Sequence, residues 1–307
     1  MGDDSADKLV IAIASSALFK LDDADRIFHN EGESSYRKYQ REKETIHLQP
    51  GIAFPFIRRL LALNLPDDAP IDVVLLSRND PDTGLRVMNS IEAHKLGITR
   101  AAFVKGKDPQ RYIGAFNASL FLSANEQDVR AALQLGSPAG LVLESLSDDD
   151  GTDDELRIAF DFDGVLADDA SETIYRNGGL QVFNDNERQN AGIASDEGPL
   201  HGLFHKIARL QQRDKQRARE NTNYRTRVRI AIITARGAPA HKRVVTSLRE
   251  WGIEVDEAFF LAGLRKTAIL KVFKPHLFFD DQQVHLKEAA QIVPCVHVPF
   301  GVRNRVA

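Results

Sequence analysis

Glu155-Leu156-Arg157-Ile158-Ala159-Phe160-Asp161-Phe162-Asp163-Gly164-Val165 is a short apolar run that ends in two carboxylates two residues apart, followed by a glycine. Such a run reads as a strand of a parallel sheet, buried on both faces. Ligands of open parallel sheets bind outside the carboxyl ends of the strands, so charges just past the run point at a crevice. The same pattern recurs downstream. Arg229 to Thr234 ends in Thr234, Leu277 to Asp280 ends in Asp280 and Asp281, and further short runs cover Ala258 to Leu261 and Val296 to Pro299. Between them, His241 to Trp251 and Val284 to Ile292 carry apolar residues at helical spacing, with Gly252 placed to end the first. The alternation predicts a doubly wound α/β fold, a parallel sheet covered by helices.

The first half of the chain repeats this pattern. Lys8 to Ser16 lies over Glu155 to Asp163 at a constant spacing of 147 positions, from Ala14 to Asp161, and the same spacing carries Ile27, Asn30 and Gly32 onto Ile174, Asn177 and Gly179. A second spacing of 157, from Ser77 to Thr234, places Val73 to Ser77 on Ile230 to Thr234. It also matches Arg86 to Arg243, Ser90 to Ser247, Gly106 to Gly263, and Leu120-Phe121 to Leu277-Phe278. The expected organisation is a related α/β domain over 1–144, an acidic linker over 145–155, and a second α/β domain over 156–307.

Composition narrows the class. With 307 residues, 43% hydrophobic and 27% charged, the chain is an ordinary globular sequence with room for two domains. A net charge of −4 offers no general attraction to nucleic acid or anionic membrane. No apolar run approaches the ~20 residues that span a bilayer, and Met1 to Leu9 lacks the pattern of a secretory signal. The single cysteine, Cys295, fits a reducing interior, so a cytoplasmic protein acting on a small molecule is expected, with self-association left open.

The polar strand ends suit phosphoryl transfer, which needs an in-line nucleophile, a cation for the phosphoryl oxygens and a proton donor for the leaving group. Asp161 and Asp163 project on one side because side chains alternate along a strand; one can attack while the other handles the proton. Asp280, Asp281 and the Asp161 carboxylate supply the hard oxygen ligands that Mg²⁺ prefers. Thr234 offers a hydroxyl and an amide to a phosphate oxygen, and Lys266 a compact positive charge that also favours ionised Asp161. Asp163 must carry a proton when the ester oxygen leaves, so a raised pKa in the substrate complex is expected.

The set Asp161-Phe162-Asp163-Gly164-Val165, Thr234, Lys266 and Phe278-Phe279-Asp280-Asp281 resembles the four motifs of the haloacid dehalogenase-like hydrolases. Pro50 to Phe56, Leu248 to Gly252, Asp256 to Gly263, His276 to Gln282 and Val298 to Val302 extend the resemblance, over nearly the whole chain, to the cytosolic 5′-nucleotidase type I family. That likeness implies a Mg²⁺-dependent phosphatase acting on nucleoside 5′-monophosphates, AMP foremost, through an aspartyl phosphate. By motif Asp161 is the nucleophile and Asp163 the acid/base; Thr234 and Lys266 bind phosphate; Asp280 and Asp281 bind the metal with Asp161 and the Asp163 backbone carbonyl. The first half has Ala14, Ser16, Pro109, Ser123 and Ala124 in place of Asp161, Asp163, Lys266, Asp280 and Asp281, so it is expected to be a degenerate, non-catalytic domain.

More than sixty residues separate Asp163 from Arg229, which predicts an inserted helical cap over about 167–227, with Leu200, Leu203, Phe204, Ile207 and Leu210 at helical spacing. Phe183, Tyr175 and Phe204 are candidates to stack on a base, against the ordinary alternative that they pack in a core. Arg236 is a candidate for phosphate or base, or for a helix-start surface role. The basic stretch from Lys206 to Arg229 reads first as a solvated helix face, and His241, His276 and His297 lack metal-ligand spacing. Two other functions compete: the same chemistry on another phosphomonoester, or transfer to a nucleoside instead of water; and a non-catalytic scaffold, against which the motif set of the second half argues.

Overall fold

The computed structural model describes residues 8–145, 149, 151 and 153–304. The amino-terminal residues 1–7 and positions 146–148, 150 and 152 of the expected acidic linker lie outside the described residues. The chain divides into two compact units between Val142 and Leu143.

In the first unit the elements run β1 (Leu9–Ile13), α1 (Ser15–Leu18), α2 (Asp22–Glu31), α3 (Glu33–Glu42), α4 (Phe54–Leu61), β2 (Ile71–Ser77), α5 (Pro81–Ala93), β3 (Arg100–Phe103), β4 (Leu120–Ser123), α6 (Glu126–Gln134) and β5 (Ala139–Val142). Its strands lie in the order β3-β2-β1-β4-β5, all parallel. The second unit runs β6 (Leu156–Phe160), α7 (Ala170–Gln189), α8 (His201–Glu220), β7 (Val228–Thr234), α9 (His241–Glu250), β8 (Glu257–Phe260), α10 (Thr267–Phe273), β9 (Leu277–Asp280), α11 (Gln283–Ala289) and β10 (Cys295–His297). Its order is β8-β7-β6-β9-β10, again parallel and again with the first strand central. Both units therefore share one α/β topology, with the order reversing beside the first strand.

Strands β6, β7, β9 and β10 are buried on both faces for most of their length, which is why they are mainly apolar. Ala159, Ala231, Ile233 and Phe278 pack with Leu270 and Phe273 of α10 and Leu286 of α11. On the alternate positions, Phe160 stacks on Phe279 at 5.0 Å and meets Phe204 of α8 at 5.3 Å. Each such fully buried phenylalanine contributes roughly 1.5–3 kcal/mol over its exposed state.

The expected cap over 167–227 separates into two elements of different character. Helix α8 turns Leu203, Phe204, Ile207 and Leu210 into the core, so it is the crossover helix between β6 and β7 rather than part of a cap. Its far end is tied to the sheet by buried Asp214, which accepts from the amides of Arg227 at 2.6 Å and Val228 at 3.0 Å. Helix α7 is different: it buries only Ser171 and Glu187, and it bends at Gly179 (φ 73°), as α2 and α3 are joined at Gly32 (φ 84°). Both glycines stand 147 positions apart and supply the positive φ that other residues resist.

The repeat extends to individual hydrogen bonds. Leu48 N donates to Ser90 Oγ and Ser195 N to Ser247 Oγ, both at 2.9 Å. Arg86 Nε donates to the Ile46 carbonyl at 2.9 Å and Arg243 Nε to that of Ile193 at 3.1 Å. The edge-on ring pair Phe28 and Tyr36, at 5.6 Å, has its counterpart in Tyr175 and Phe183 at 6.1 Å. The growth of the spacing from 147 to 157 falls where the eight-residue α4 is matched by the twenty-residue α8. Ser90→Ala and Ser247→Ala should each strip a partner from a buried amide and lower stability by about 1–3 kcal/mol. Urea unfolding of the two variants checks this; a loss at one serine and none at the other would break the equivalence.

Candidate active site

The strand tips of the second unit gather the acidic residues. Asp161 follows β6, and its amide donates to the Phe279 carbonyl at 2.8 Å, which continues the β6–β9 pairing by one residue and holds its side chain at the sheet's edge. Its Oδ1 accepts from the Phe162 amide at 2.8 Å. Asp280 closes β9 and accepts from the Gln282 amide at 2.8 Å. Lys266, which caps the start of α10, places Nζ 2.8 Å from Asp161 Oδ2 and 2.7 Å from Asp280 Oδ2. Thr234 ends β7, and its hydroxyl accepts from the Arg236 amide at 3.2 Å. Asp161, Thr234, Lys266, Asp280 and Asp281 are all buried.

Burial sets the electrostatics. It pushes Asp161 up to about 6, with Lys266 pulling the other way and Asp280 and Asp163 adding to the rise. Asp281 is pushed further, to about 9, by burial first and then by the charges of Asp280 and Asp161. Burial also opposes the Asp280 charge, but Lys266 and His285 outweigh it and hold Asp280 below the usual carboxylate range. Lys266 is held above the usual lysine range: burial works against its charge, and Asp161 and Asp280 more than offset it. Lys266 pulls Asp281 the other way, but burial and the neighbouring carboxylates outweigh it. The Oδ1 of Asp281 is buried and has no hydrogen-bond partner, while its backbone carbonyl is held by His297 Nε2 at 3.1 Å and Asn304 Nδ2 at 2.9 Å.

Ligand atoms of Asp161, Asp280 and His285 lie within 4.8 Å of one another, a spacing that could hold a cation. His285 escaped the sequence reading; its one signal is a position five residues after Asp280, on the first turn of α11. Glu187 escaped as well, because a single acid in a weakly amphipathic helix gives no pattern. The repeat, which sets it opposite Gln40, was the available signal.

Three expectations need correction. Phe204 cannot meet a ligand, because it is fully buried against Phe160. Arg236 is neither a surface residue nor open to phosphate: it is buried, donates from Nε and Nη2 to the two oxygens of Asp163 at 2.7 and 2.6 Å, and pairs through Nη1 with Glu187. The Asp163 carboxylate is therefore engaged by Arg236 rather than grouped with Asp161 and Asp280. Phe183 is half-buried with its ring 5.6 Å from the Arg236 guanidinium, while Tyr175 beside it is exposed.

The second unit thus gathers carboxylates at parallel strand tips of an α/β sheet, with a buried lysine among them. A family model described as 5′-nucleotidase matches residues 1–305, and the chain belongs to that family. Cytosolic 5′-nucleotidase 1B of Homo sapiens is 35% identical over 292 residues, covering 92% of this chain and 47% of the human protein. The chain thus spans about half the length of that curated relative. A solved histidinol dehydrogenase from Elizabethkingia anophelis overlaps 94% of this chain and 51% of its own at 8% identity and a TM-score of 0.21, a likeness too slight to inform the fold.

Gly164 lies directly against the Asp281 side chain. It adopts φ 71°, and a Cβ there would fall 2.8 Å from Cγ and Oδ2 of Asp281. Gly164→Ala should therefore combine backbone strain with displacement of Asp281 and cost about 1–3 kcal/mol. Thermal unfolding tests this, and an unshifted midpoint would mean that the turn adapts at no cost.

Proposed function

We propose that this chain is a Mg²⁺-dependent 5′-nucleotidase of the haloacid dehalogenase-like type, hydrolysing nucleoside 5′-monophosphates, AMP foremost, through an aspartyl phosphate on Asp161. The observation that carries this reading is the buried cluster of Asp161, Lys266 and Asp280 with the buried Asp281 beside it, whose Oδ1 has no hydrogen-bond partner. AMP as the favoured substrate rests on the family resemblance.

The donor set fits a hard divalent ion. Carboxylates crowded at one buried point repel unless a cation sits among them, and the partnerless Asp281 Oδ1 is an oxygen of the kind Mg²⁺ takes. Asp161, Asp280 and Asp281, with the Asp163 backbone carbonyl, would hold it. When bound, Mg²⁺ neutralises charge on the phosphoryl oxygens.

The side chains supply the rest. Lys266 and the hydroxyl and amide of Thr234 bind phosphate oxygens and align the phosphorus with Asp161. A carboxylate oxygen of Asp161 attacks, a bond forms to phosphorus, and the bond from phosphorus to the 5′ oxygen breaks. Asp163 passes its proton to that oxygen and the nucleoside leaves. Water then attacks the phosphorus and gives a proton back to Asp163, which releases inorganic phosphate and regenerates Asp161. Tyr175, exposed on α7, is the remaining candidate for a ring that stacks on the base.

The first unit keeps the strand order but carries Ala14, Ser16, Ser123 and Ala124 at the corresponding tips, so it is the non-catalytic half. A cytoplasmic setting is in keeping with the buried free thiol of Cys295, and among the described residues no helix is long and apolar enough to cross a membrane.

Phosphate release from a panel of AMP, IMP, dTMP and sugar phosphates, with Mg²⁺ and with excess EDTA, tests the reading. AMP should be hydrolysed only with Mg²⁺, and Asp161→Asn should abolish turnover with its thermal midpoint unchanged. Full activity of Asp161→Asn, or hydrolysis indifferent to EDTA, would remove the proposed mechanism.

A further inference from the structure

Glu187 is a fully buried carboxylate on α7 that no step above uses. It accepts from Ser171 Oγ at 2.9 Å, from Arg243 Nη1 at 3.2 Å and from Arg236 Nη1. Arg236 in turn lies over the rings of Phe162 and Phe183, at 5.2 and 5.6 Å from their centroids, and forks onto both oxygens of Asp163. A connected chain of charges thus runs from helix α7 to the acid beside the nucleophile.

The first unit serves as an internal control for which contacts the fold requires. The serine-to-amide bond, the arginine-to-carbonyl bond and the ring pair recur in both units. The charge chain does not: Asp163, Glu187 and Arg236 correspond to Ser16, Gln40 and Asn79, all neutral. Gln40 is itself buried and accepts from Arg86 Nη1 at 3.3 Å, as Glu187 accepts from Arg243. The fold therefore tolerates an uncharged residue at this buried position. A buried ion pair is a poor source of stability, because desolvation consumes its Coulombic gain. The charges at these three positions are missing in the same half that lacks Asp161, Asp280 and Asp281, which ties them to the chemistry and not to the scaffold.

We propose that Glu187 and Arg236 are positioning residues for Asp163: Glu187 anchors the guanidinium, and the guanidinium fixes both oxygens of the carboxylate for proton transfer. This rests on the nucleotidase reading above. A planar fork sets the orientation of a carboxylate as a single ammonium cannot. It takes two of about four lone-pair sites, which leaves room for the transferring proton. The flanking rings and Glu187 keep Arg236 from following Asp163 or turning toward an incoming phosphate.

The test uses the full chain with Mg²⁺ and two substrates, AMP and p-nitrophenyl phosphate, whose nitrophenolate departs without a proton. Glu187→Gln copies Gln40 and Arg236→Asn copies Asn79. Each should lower kcat for AMP by about 10²-fold, the lower end of what a general acid contributes. KM should hold, and the first-turnover burst of nitrophenolate, which precedes the water step that also uses Asp163, should be nearly unaffected. The midpoint should fall in both variants, because each leaves a buried charge unpaired. In an Asp163→Ala background, Glu187→Gln should change nothing further, because both act through one group. Equal losses in the first turnover of the two substrates, an additive loss in the Asp163→Ala background, or no loss at all would each overturn the proposal. Failure of the unaltered chain to hydrolyse AMP would instead remove the nucleotidase reading beneath it.

Discussion

Asp161, Asp280 and Asp281 sit buried at the ends of two adjacent strands, where water cannot screen them and each raises the cost of ionising the others. Lys266 is the protein's own counter-charge. It reaches Asp161 and Asp280 but leaves Asp281 Oδ1 without a partner. Much of the surrounding structure accommodates this concentration of charge. Gly164 makes room for the Asp281 side chain, and His297 and Asn304 secure its backbone carbonyl. Apolar strands on both faces keep the strand tips in register.

A second group of charges, Asp163, Arg236 and Glu187, lies beside the first and is organised differently. Its members are matched pairwise and enclosed by aromatic rings, so geometry rather than an added ion compensates them. On the proposed reading the two groups would divide the work of phosphoryl transfer: one gathers negative charge that calls for a cation, and the other would hold a proton-transfer group in place. The second group also links the chemistry to α7, the helix with little buried apolar surface and a glycine bend, and so the least constrained of the unit's long elements.

The duplicated architecture separates scaffold from chemistry within one chain. Topology, the Ser90 and Ser247 hydrogen bonds, the bend at Gly32 and Gly179, and the ring pairs persist in both halves because packing and backbone satisfaction demand them. The carboxylates of Asp161, Asp163, Asp280 and Asp281 have counterparts in only one half. Folding alone does not favour a cluster of buried carboxylates, and in the first half small neutral residues such as Ala14, Ser16 and Ala124 fill the same places.

The sequence by itself determined the parallel α/β class, the repeat, the strands of the second half and the residues at their tips. Apolar runs ending abruptly in aspartate or threonine have few other readings; the observed β7 and β9 end at Thr234 and Asp280, and β6 ends one residue before Asp161. Tertiary structure alone decided which side chains meet. The apolar stripe of α8 reads equally well as cap or core, and only its docking on β6 and β7 settles that Phe204 is interior. Arg236 and Glu187, 49 positions apart, become partners because a crossover helix and a bent helix return them to the same strand ends. Local periodicity records which face of an element is apolar; it carries no information about contacts made across long loops, and those contacts built the charge chain on Asp163.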